Sequence, residues 1–209
     1  MKKLLSILIS IFTVNAVYAD SPITSTDFYK AYTEVPMVQQ ALKSKGRISD
    51  IMMTYLAKDT NPLDVKLAVI NAIGWDHRGI TNSVQFLNYV VKTKKYKAES
   101  NGKYIAFKWH ATPDELICYA YLCAMDNYFD VVYANEISEL ALKKNTNSFA
   151  INMVAYLIKA QGLNLLNEGC SGYKKFNTLK NNNQLKMDMR NDAEKYIFEY
   201  MNSIGQNCK

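Results

Sequence analysis

The sequence predicts an all-α fold in which antiparallel helical hairpins stack as a repeat-like array. Apolar residues recur at spacings of three and four along most of the 209-residue chain. Three segments, 63–73, 113–126 and 149–160, are apolar nearly all round, so each must be covered on most sides. More amphipathic segments begin at Ser83 and Asp130. This alternation of covered and half-covered helices is typical of stacked helical pairs.

The first predicted helices are short and have recognisable caps. Ser25 or Thr26 can cap one, Pro36 can open the next, and Ser49 can cap a third. Asn61 precedes a proline at the expected first position of a long apolar helix.

The predicted end of that apolar helix contains three consecutive residues whose side chains could take part in catalysis. The stretch AIGWDHRGI places Asp76, His77 and Arg78 side by side, and Gly79 follows them. Cationic side chains favour the negative end of the helix dipole, and glycine accepts the left-handed backbone of a helix stop. We therefore expect the triplet to end a helix; alternatively, Asp76 and Arg78 lie on a loop rim and bind a partner.

A small β-hairpin insertion is expected near residues 96–109. Asn101 and Gly102 form a dipeptide that accepts the positive φ angles of a tight hairpin turn. Apolar side chains follow the turn at Tyr104 and Ile105.

The C-terminal part is expected to be a long polar connection followed by a docking helix. Residues 168–190 are polar, rich in asparagine and basic. Residues 191–204 form an amphipathic pattern that starts from an Asn191 cap. This helix is predicted to cover the end of a single domain that spans residues 20–209.

Four cysteines are available for pairing. Cys118 and Cys123 lie five residues apart in a predicted helix, which places them too far round and along it to bond to each other. The expected disulfide therefore joins Cys170 to Cys208. Cys118 and Cys123 are then either buried as free thiols or cross-paired with the other two, and the sequence leaves both open.

The first 19 residues predict a secretory signal peptide. Lys2 and Lys3 precede an apolar run, and small residues lead to an expected cut between Ala19 and Asp20. The protein is then periplasmic or secreted, and the sequence does not distinguish the two. The rest of the chain has no apolar run long enough to predict a membrane span.

The charge of the chain gives no reason to expect nucleic acid as a partner. The net charge is +6, and it falls to about +4 without Lys2 and Lys3. This excess is mild, whereas non-specific nucleic-acid binding usually needs dense basic clusters.

Residues 113–161 carry a family resemblance. The first helix contains Tyr121 and Ala124, the second contains Tyr133 and Ala141, and Ala124 is followed 36 residues later by another helical alanine. This pattern resembles one and a half tetratricopeptide (TPR) repeats, whose period is 34 residues. The resemblance implies a helical superhelix whose groove binds peptides or partner proteins, and it implies no catalytic residues.

A second short motif raises the possibility of cysteine chemistry. The stretch EGCSGY, which contains Cys170, resembles the start of the active-site helix in NlpC/P60 cysteine peptidases. Such enzymes need a histidine downstream of the cysteine to activate its thiolate, whereas His77 and His110 both lie upstream. We therefore expect Cys170 to be structural.

The remaining candidates for catalysis are carboxylates. If the chain is an enzyme that acts on peptidoglycan, Glu115 or Glu168 together with His77 would be its catalytic residues. Glu136 and Glu139 have the spacing of a solvated helix face. No metal-binding motif or phosphate-binding glycine loop is present, so no metal, no cofactor and no catalytic activity are expected.

The sequence thus predicts an exported module that binds an unknown protein or peptide partner. The expected surface includes the less covered edges of the central helices and the segment 96–109. Candidate contact residues are Tyr121, Tyr156, Trp109, Asp76 and Arg78, because aromatic anchors dominate interface energies. Two alternatives stand beside this prediction: an immunity or inhibitor protein that neutralises a cell-wall toxin or hydrolase, and a peptidoglycan-acting enzyme.

Overall fold

The computed structural model describes residues 21–75, 79, 81–97, 102–206 and 208. Within these residues the chain forms ten α-helices, two 3₁₀ turns and no strand, apart from one isolated bridge between Ser148 and Lys186. The predicted all-α fold is therefore confirmed. The predicted signal peptide and the triplet Asp76, His77 and Arg78 lie outside the described residues.

The helices are bounded as follows: α1 Pro36–Leu42, α2 Asp50–Ala57, α3 Leu63–Ile73, α4 Asn82–Thr93, α5 Gly102–His110, α6 Pro113–Asp126, α7 Val132–Lys144, α8 Phe149–Leu165, α9 Gly169–Asn177 and α10 Asn191–Gly205. The 3₁₀ turns span Phe28–Tyr32 and Thr178–Asn181.

Consecutive helices pack on one another through the second half of the chain. Helix α6 packs on α7, α7 on α8, and α8 on α9, while α3 and α4 both pack on α6. Helix α10 packs on α9 and on the turn Phe28–Tyr32, so the last helix lies against the first described element. Residues 191–204, expected from the sequence to be an amphipathic helix, lie within α10.

The three segments predicted to be covered on most sides form the centre of the core. In α3, every residue from Val65 to Ile73 is buried, including Lys66 and Asn71. Most of α6 and of the first three turns of α8 is buried as well. These helices carry the more amphipathic ones on their surfaces.

Several helix starts are fixed by side-chain caps, because the first backbone N–H groups of a helix lack partners within it. Ser49 accepts a hydrogen bond from the Met52 amide, as the sequence predicts. In α6, Thr112 and Glu115 form a capping box in which each side chain accepts from the backbone N–H of the other. Helix α3 starts at Leu63, one residue after the proline that was expected to occupy its first position. Helix α10 starts at Asn191 without a side-chain cap, so the predicted Asn191 cap is wrong.

The apolar helix α3 ends earlier than the sequence analysis predicts. It stops at Ile73, and Gly74 follows with φ of +74°, a left-handed conformation that glycine adopts at little cost. Gly79 also has a positive φ but lies beyond the helix. The prediction that Gly79 stops this helix is therefore wrong.

The β-hairpin predicted near residues 96–109 is not present in the described part of that segment. Gly102 has φ of +83°, as a turn would require, but the chain continues from it into α5. Ala106 and Phe107 are buried and Tyr104 packs against the core. Residues 104 and 107 are three apart, so a helix places both side chains on the same face. The burial of that face outweighs the preference of aromatic residues for strands.

The long polar connection predicted for residues 168–190 contains α9 and the second 3₁₀ turn. Phe176 and Leu179 anchor this region, since their side chains are buried, and Gly172 allows α9 to approach the backbone of Ala160. A Cβ at Gly172 would lie 3.3 Å from the Ala160 Cα. Two buried side chains and one close contact thus order a segment whose composition is otherwise polar.

The cysteines pair as predicted. The Sγ atoms of Cys170 and Cys208 lie 2.12 Å apart, which is bonding distance, so a disulfide joins the start of α9 to the chain beyond α10. Cys118 is buried and Cys123 partly buried, and both are free thiols. The cross-paired alternative is therefore wrong.

In the described ranges, no helix has both the length and the apolar character needed to cross a membrane.

Candidate binding surface

A continuous group of apolar side chains reaches the surface around the α6–α7 loop and the end of α8. The ring of Trp75 lies edge-on to Tyr128 with 5.0 Å between centroids, and the Tyr128 ring lies 4.2 Å from that of Phe129. Phe129 lines a groove together with Val132, Leu165 and Leu166. We call Trp75, Tyr128, Phe129, Val132, Leu165 and Leu166 the apolar patch.

The apolar patch is unusually exposed for side chains of its type. The exposed fractions are 65% for Phe129, 79% for Val132 and 69% for Leu166. Single exposed apolar residues are common on proteins, but a contiguous group that includes aromatic rings is typical of interaction sites.

The groove within the patch lies between the start of α7 and the last turns of α8. Its volume is about 380 Å³, and its walls include Val131, Ile158 and Leu163. Gly162 lies in its wall next to Val131, since a Cβ there would lie 3.4 Å from Val131 Cγ2, an ordinary packing distance. The groove can receive one or two apolar side chains of a partner.

Hydrogen bonds fix the α6–α7 loop that carries Tyr128 and Phe129. The buried Gln161 of α8 donates from Nε2 to the Tyr128 carbonyl at 3.1 Å. Its Oε1 accepts from the Ser21 hydroxyl. At the start of α7, the Asp130 carboxylate accepts from the Val132 amide at 3.2 Å. The patch is therefore held in place before any partner binds, which lowers the entropy cost of binding.

The rim of the groove is polar and nearly balanced in charge. Asp130, Asn135 and Lys159 line it, and Lys159 forms an ion pair with Glu139 at 3.0 Å. A polar rim around an apolar centre is the usual arrangement of a protein–protein contact.

Of the predicted contact residues, Tyr121 is not available to a partner. It is completely buried, its ring lies 6.3 Å from that of Phe28, and its hydroxyl accepts from the Asn71 side chain at 2.9 Å. The prediction that Tyr121 lies on the partner-binding surface is therefore wrong, because Tyr121 belongs to the core.

The other predicted contact residues lie apart from the patch or outside the described chain. Tyr156 is half-buried against the core, and Trp109 is 77% exposed at the end of α5. Asp76 and Arg78 are not described. Sequence analysis missed Phe129, Val132, Leu165 and Leu166. For the last two, the closely spaced leucines at 163, 165 and 166, where the apolar periodicity of the sequence fades, were the available signal.

The carboxylate considered for catalysis, Glu115, is engaged in structural bonds. It is buried, and its Oε2 accepts from the Tyr96 hydroxyl at 2.9 Å and from the Thr112 amide at 2.8 Å. Its Oε1 lies 2.9 Å from Nζ of Lys94. This carboxylate therefore joins the α4 end to the α6 start.

The remaining reactive candidates are placed as follows. Cys170 is in the disulfide and so presents no thiolate. Glu136 and Glu139 pair with lysines on neighbouring helices, and Glu168 is exposed just before α9. Among the described residues, no three His, Cys, Asp or Glu side chains converge in a way that could hold a metal ion.

Comparisons of this chain with protein-family models, with curated proteins and with solved structures found no match.

Proposed function

We propose that this chain is a protein-binding module that works without a cofactor and without catalysis, and that the apolar patch holds its partner. The observation that carries the proposal is the exposure of Phe129, Val132 and Leu166 along a groove, with the exposed ring of Trp75 joined to Phe129 through Tyr128. The chemistry of the patch favours a partner that offers apolar side chains.

The energy available from the patch is sufficient for specific association. Covering one large apolar side chain contributes up to about 1.5 to 3 kcal/mol. Several such side chains in one patch can offset the several kcal/mol that association costs in lost freedom. The aromatic rings are the expected anchors, because aromatic side chains dominate the energetics of most interfaces.

The array of helical hairpins is part of the proposal. Helices α6 to α9 each pack on the next, and a short loop connects each pair, as stacked antiparallel hairpins require. The TPR resemblance of residues 113–161 falls within this region, and the groove lies between two of its helices. A repeat-like array that binds a peptide between helices would account for these features together.

We also propose that the protein acts outside the cytoplasm. The signal-peptide pattern of residues 1–19 motivates this, and a disulfide between Cys170 and Cys208 supports it, because such bonds persist in oxidising compartments.

Photo-cross-linking tests the proposed function. The oxidised chain from Asp20 onward, with a photo-reactive amino acid in place of Val132, is irradiated with extract of its own cell envelope. We expect a discrete cross-linked protein, identified by mass spectrometry, which is lost when Leu166→Glu is added.

The matched control is Ile51→Glu on α2, since Ile51 is also an exposed apolar residue, with 59% exposure. This change should leave the cross-link intact. Cross-links that persist in Leu166→Glu, or that disappear equally in Ile51→Glu, would contradict the patch as the binding site. A cross-link only to a second copy of the chain would identify self-association as the function of the patch.

A further inference from the structure

A second exposed aromatic residue lies on a different part of the molecule and is surrounded by lysines. Trp109 is in the last turn of α5, with 77% of its surface exposed. Ile105 lies one turn earlier on the same helix face and is 37% exposed, whereas Ala106 and Phe107 point into the core. Trp109 and Ile105 thus form an exposed apolar ridge.

The C-terminal ends of three helices lie next to this ridge. Nζ of Lys144, at the end of α7, donates to the carbonyls of Trp109 at 3.2 Å and Ala111 at 2.9 Å. The ring of Tyr96, just beyond α4, lies 5.6 Å from the ring of His110. The ends of α4, α5 and α7 are therefore neighbours, and we call this region the basic tip.

The basic tip has a clear excess of positive charge. Its lysines are Lys92, Lys94, Lys95, Lys97, Lys108, Lys143 and Lys144. Within the described chain, acidic partners are seen only for Lys94, which pairs with Asp59 and Glu115, and for Lys108, which pairs with Glu136. Part of this charge stabilises the negative ends of the three helices. The excess is nevertheless larger than three helix ends require.

We infer that the basic tip docks on the surface of an anionic lipid bilayer, with Trp109 and Ile105 entering the interface between headgroups and acyl chains. Tryptophan favours that interface because its ring is apolar and its N–H is polar. Lysine side chains reach anionic headgroups with the charge while their stems cover apolar surface.

The shape of the tip favours a membrane surface over a protein groove as its partner. A tryptophan with 77% exposure projects from the helix, and a soft interface accepts a projecting ring without a matching pocket. The apolar patch is different, since its groove is recessed and its rim is balanced in charge. Val132 begins α7 and Lys144 ends it, so the two surfaces lie about 18 Å apart along this helix.

Vesicle co-sedimentation tests this inference. The oxidised protein is mixed with phosphatidylcholine vesicles that contain or lack phosphatidylglycerol. We expect it to sediment with the anionic vesicles, not with the neutral ones, and to be released at high salt because screening weakens the lysine contacts. Trp109→Ala and the double change Lys95→Glu with Lys143→Glu should each weaken binding about tenfold or more.

Two controls separate this inference from the proposed function and from loss of fold. Tyr196→Ala removes a partly exposed aromatic ring on α10 and should bind anionic vesicles like the wild type. Val132→Glu should also bind them normally, because it alters only the apolar patch. In a Trp75→Phe background, the fluorescence of Trp109 should shift to shorter wavelength when anionic vesicles are added. Equal binding to neutral and anionic vesicles, no binding to either, or full binding by Trp109→Ala would overturn the inference.

Discussion

At the scale of single residues, Asn71 and Tyr121 hold the N-terminal segment on the core. The Asn71 amide donates to the Thr26 carbonyl at 3.0 Å and to the Tyr121 hydroxyl, and its oxygen accepts from the Tyr29 amide at 2.9 Å. All of these groups are at least partly buried, so each lost bond leaves a polar group without water to replace its partner.

Tyr121→Phe tests this arrangement. The change leaves one Asn71 N–H without its acceptor, so we expect the free energy of unfolding to fall by about 1 to 2 kcal/mol in urea titration. Tyr121→Ala also leaves a cavity and should cost about 3 to 5 kcal/mol. Partner capture by folded Tyr121→Phe should be unchanged, because the ring does not reach the surface. Weaker capture by a stable Tyr121→Phe variant would show that this position contributes to binding after all.

Replacing Lys66 and replacing its ion-pair partner Asp114 should lower the stability by different amounts. Lys66 is 1% exposed while Asp114 is 31% exposed, and the two lie 3.4 Å apart. Asp114→Ala removes the carboxylate that faces a buried ammonium and should lower the free energy of unfolding by about 3 kcal/mol. Lys66→Met leaves a carboxylate that water can reach, and its methionine fills the space, so the loss should be below about 1.5 kcal/mol. Equal losses in thermal or urea unfolding would contradict this asymmetry.

Local signals in the sequence predicted some single-residue features but not others. The Ser49 cap was predicted correctly and the Asn191 cap was not. Helix geometry excluded a bond between Cys118 and Cys123, but the choice of Cys170 with Cys208 over cross-pairing needed the structure. The burial of Lys66 and Tyr121 depends on which helices cover α3 and α6, and this tertiary information has no local signature.

At the scale of elements, α4 receives its N-terminal cap from another helix. The Asp126 carboxylate, at the end of α6, accepts from the amides of Asn82 at 3.2 Å and Ser83 at 2.8 Å and from the Ser83 hydroxyl at 2.7 Å. Burial raises the pKa of the Asp126 carboxyl, against the lowering effect of the hydrogen bonds from Ser83. One side chain thus fixes the start of α4 and its position on α6.

Asp126→Ala removes this cap and should lower the free energy of unfolding by about 2 kcal/mol, with faster amide hydrogen exchange in the first turn of α4. Asp126→Asn keeps an oxygen acceptor without a charge to desolvate, so it should cost about 1 kcal/mol or less. Unchanged exchange at Asn82 and Ser83 in Asp126→Ala would contradict the capping role.

The elements that sequence analysis missed share a physical cause. Helices α5 and α9 are short, and only one or two of their side chains, such as Phe107 and Phe176, are fully buried. Such segments gain stability from tertiary packing rather than from intrinsic propensity. The Asn-Gly dipeptide before α5 has the positive φ of a turn at Gly102, but a turn of this kind can precede a helix as well as a strand.

At the scale of the whole molecule, the disulfide closes about the last fifth of the chain into a loop. It joins residues 38 apart, so on the chain-entropy model its removal should lower the free energy of unfolding by about 4 kcal/mol. The double variant Cys170→Ser with Cys208→Ser should show this loss in urea titration. A loss below about 1 kcal/mol would mean that the bond does not constrain the unfolded chain as the model requires.

Thiol counting provides the matching chemical test. The oxidised protein should show two thiols in denaturant and four after reduction. In the native state both free thiols should react slowly, because burial raises the pKa of the Cys118 thiol and raises that of Cys123 to about 12. Rapid alkylation of the native protein near neutral pH would contradict their burial.

The proposed function depends on which parts of the core helices remain uncovered. Helices α3, α6 and α8 are mostly buried and form the centre of the core, and the apolar patch is the region where the α8 end and the α6–α7 loop remain uncovered. On this account a partner completes the burial of Phe129, Val132 and Leu166.

The most direct test is the dissociation constant of the cross-linked partner, measured by isothermal titration calorimetry with the wild type, Val132→Glu and Ile51→Glu. The account predicts that Val132→Glu weakens binding about tenfold or more, because a charge would be buried at the centre of the contact, while Ile51→Glu stays within about twofold of the wild type. Equal affinities for the wild type and Val132→Glu would contradict the apolar patch as the binding surface.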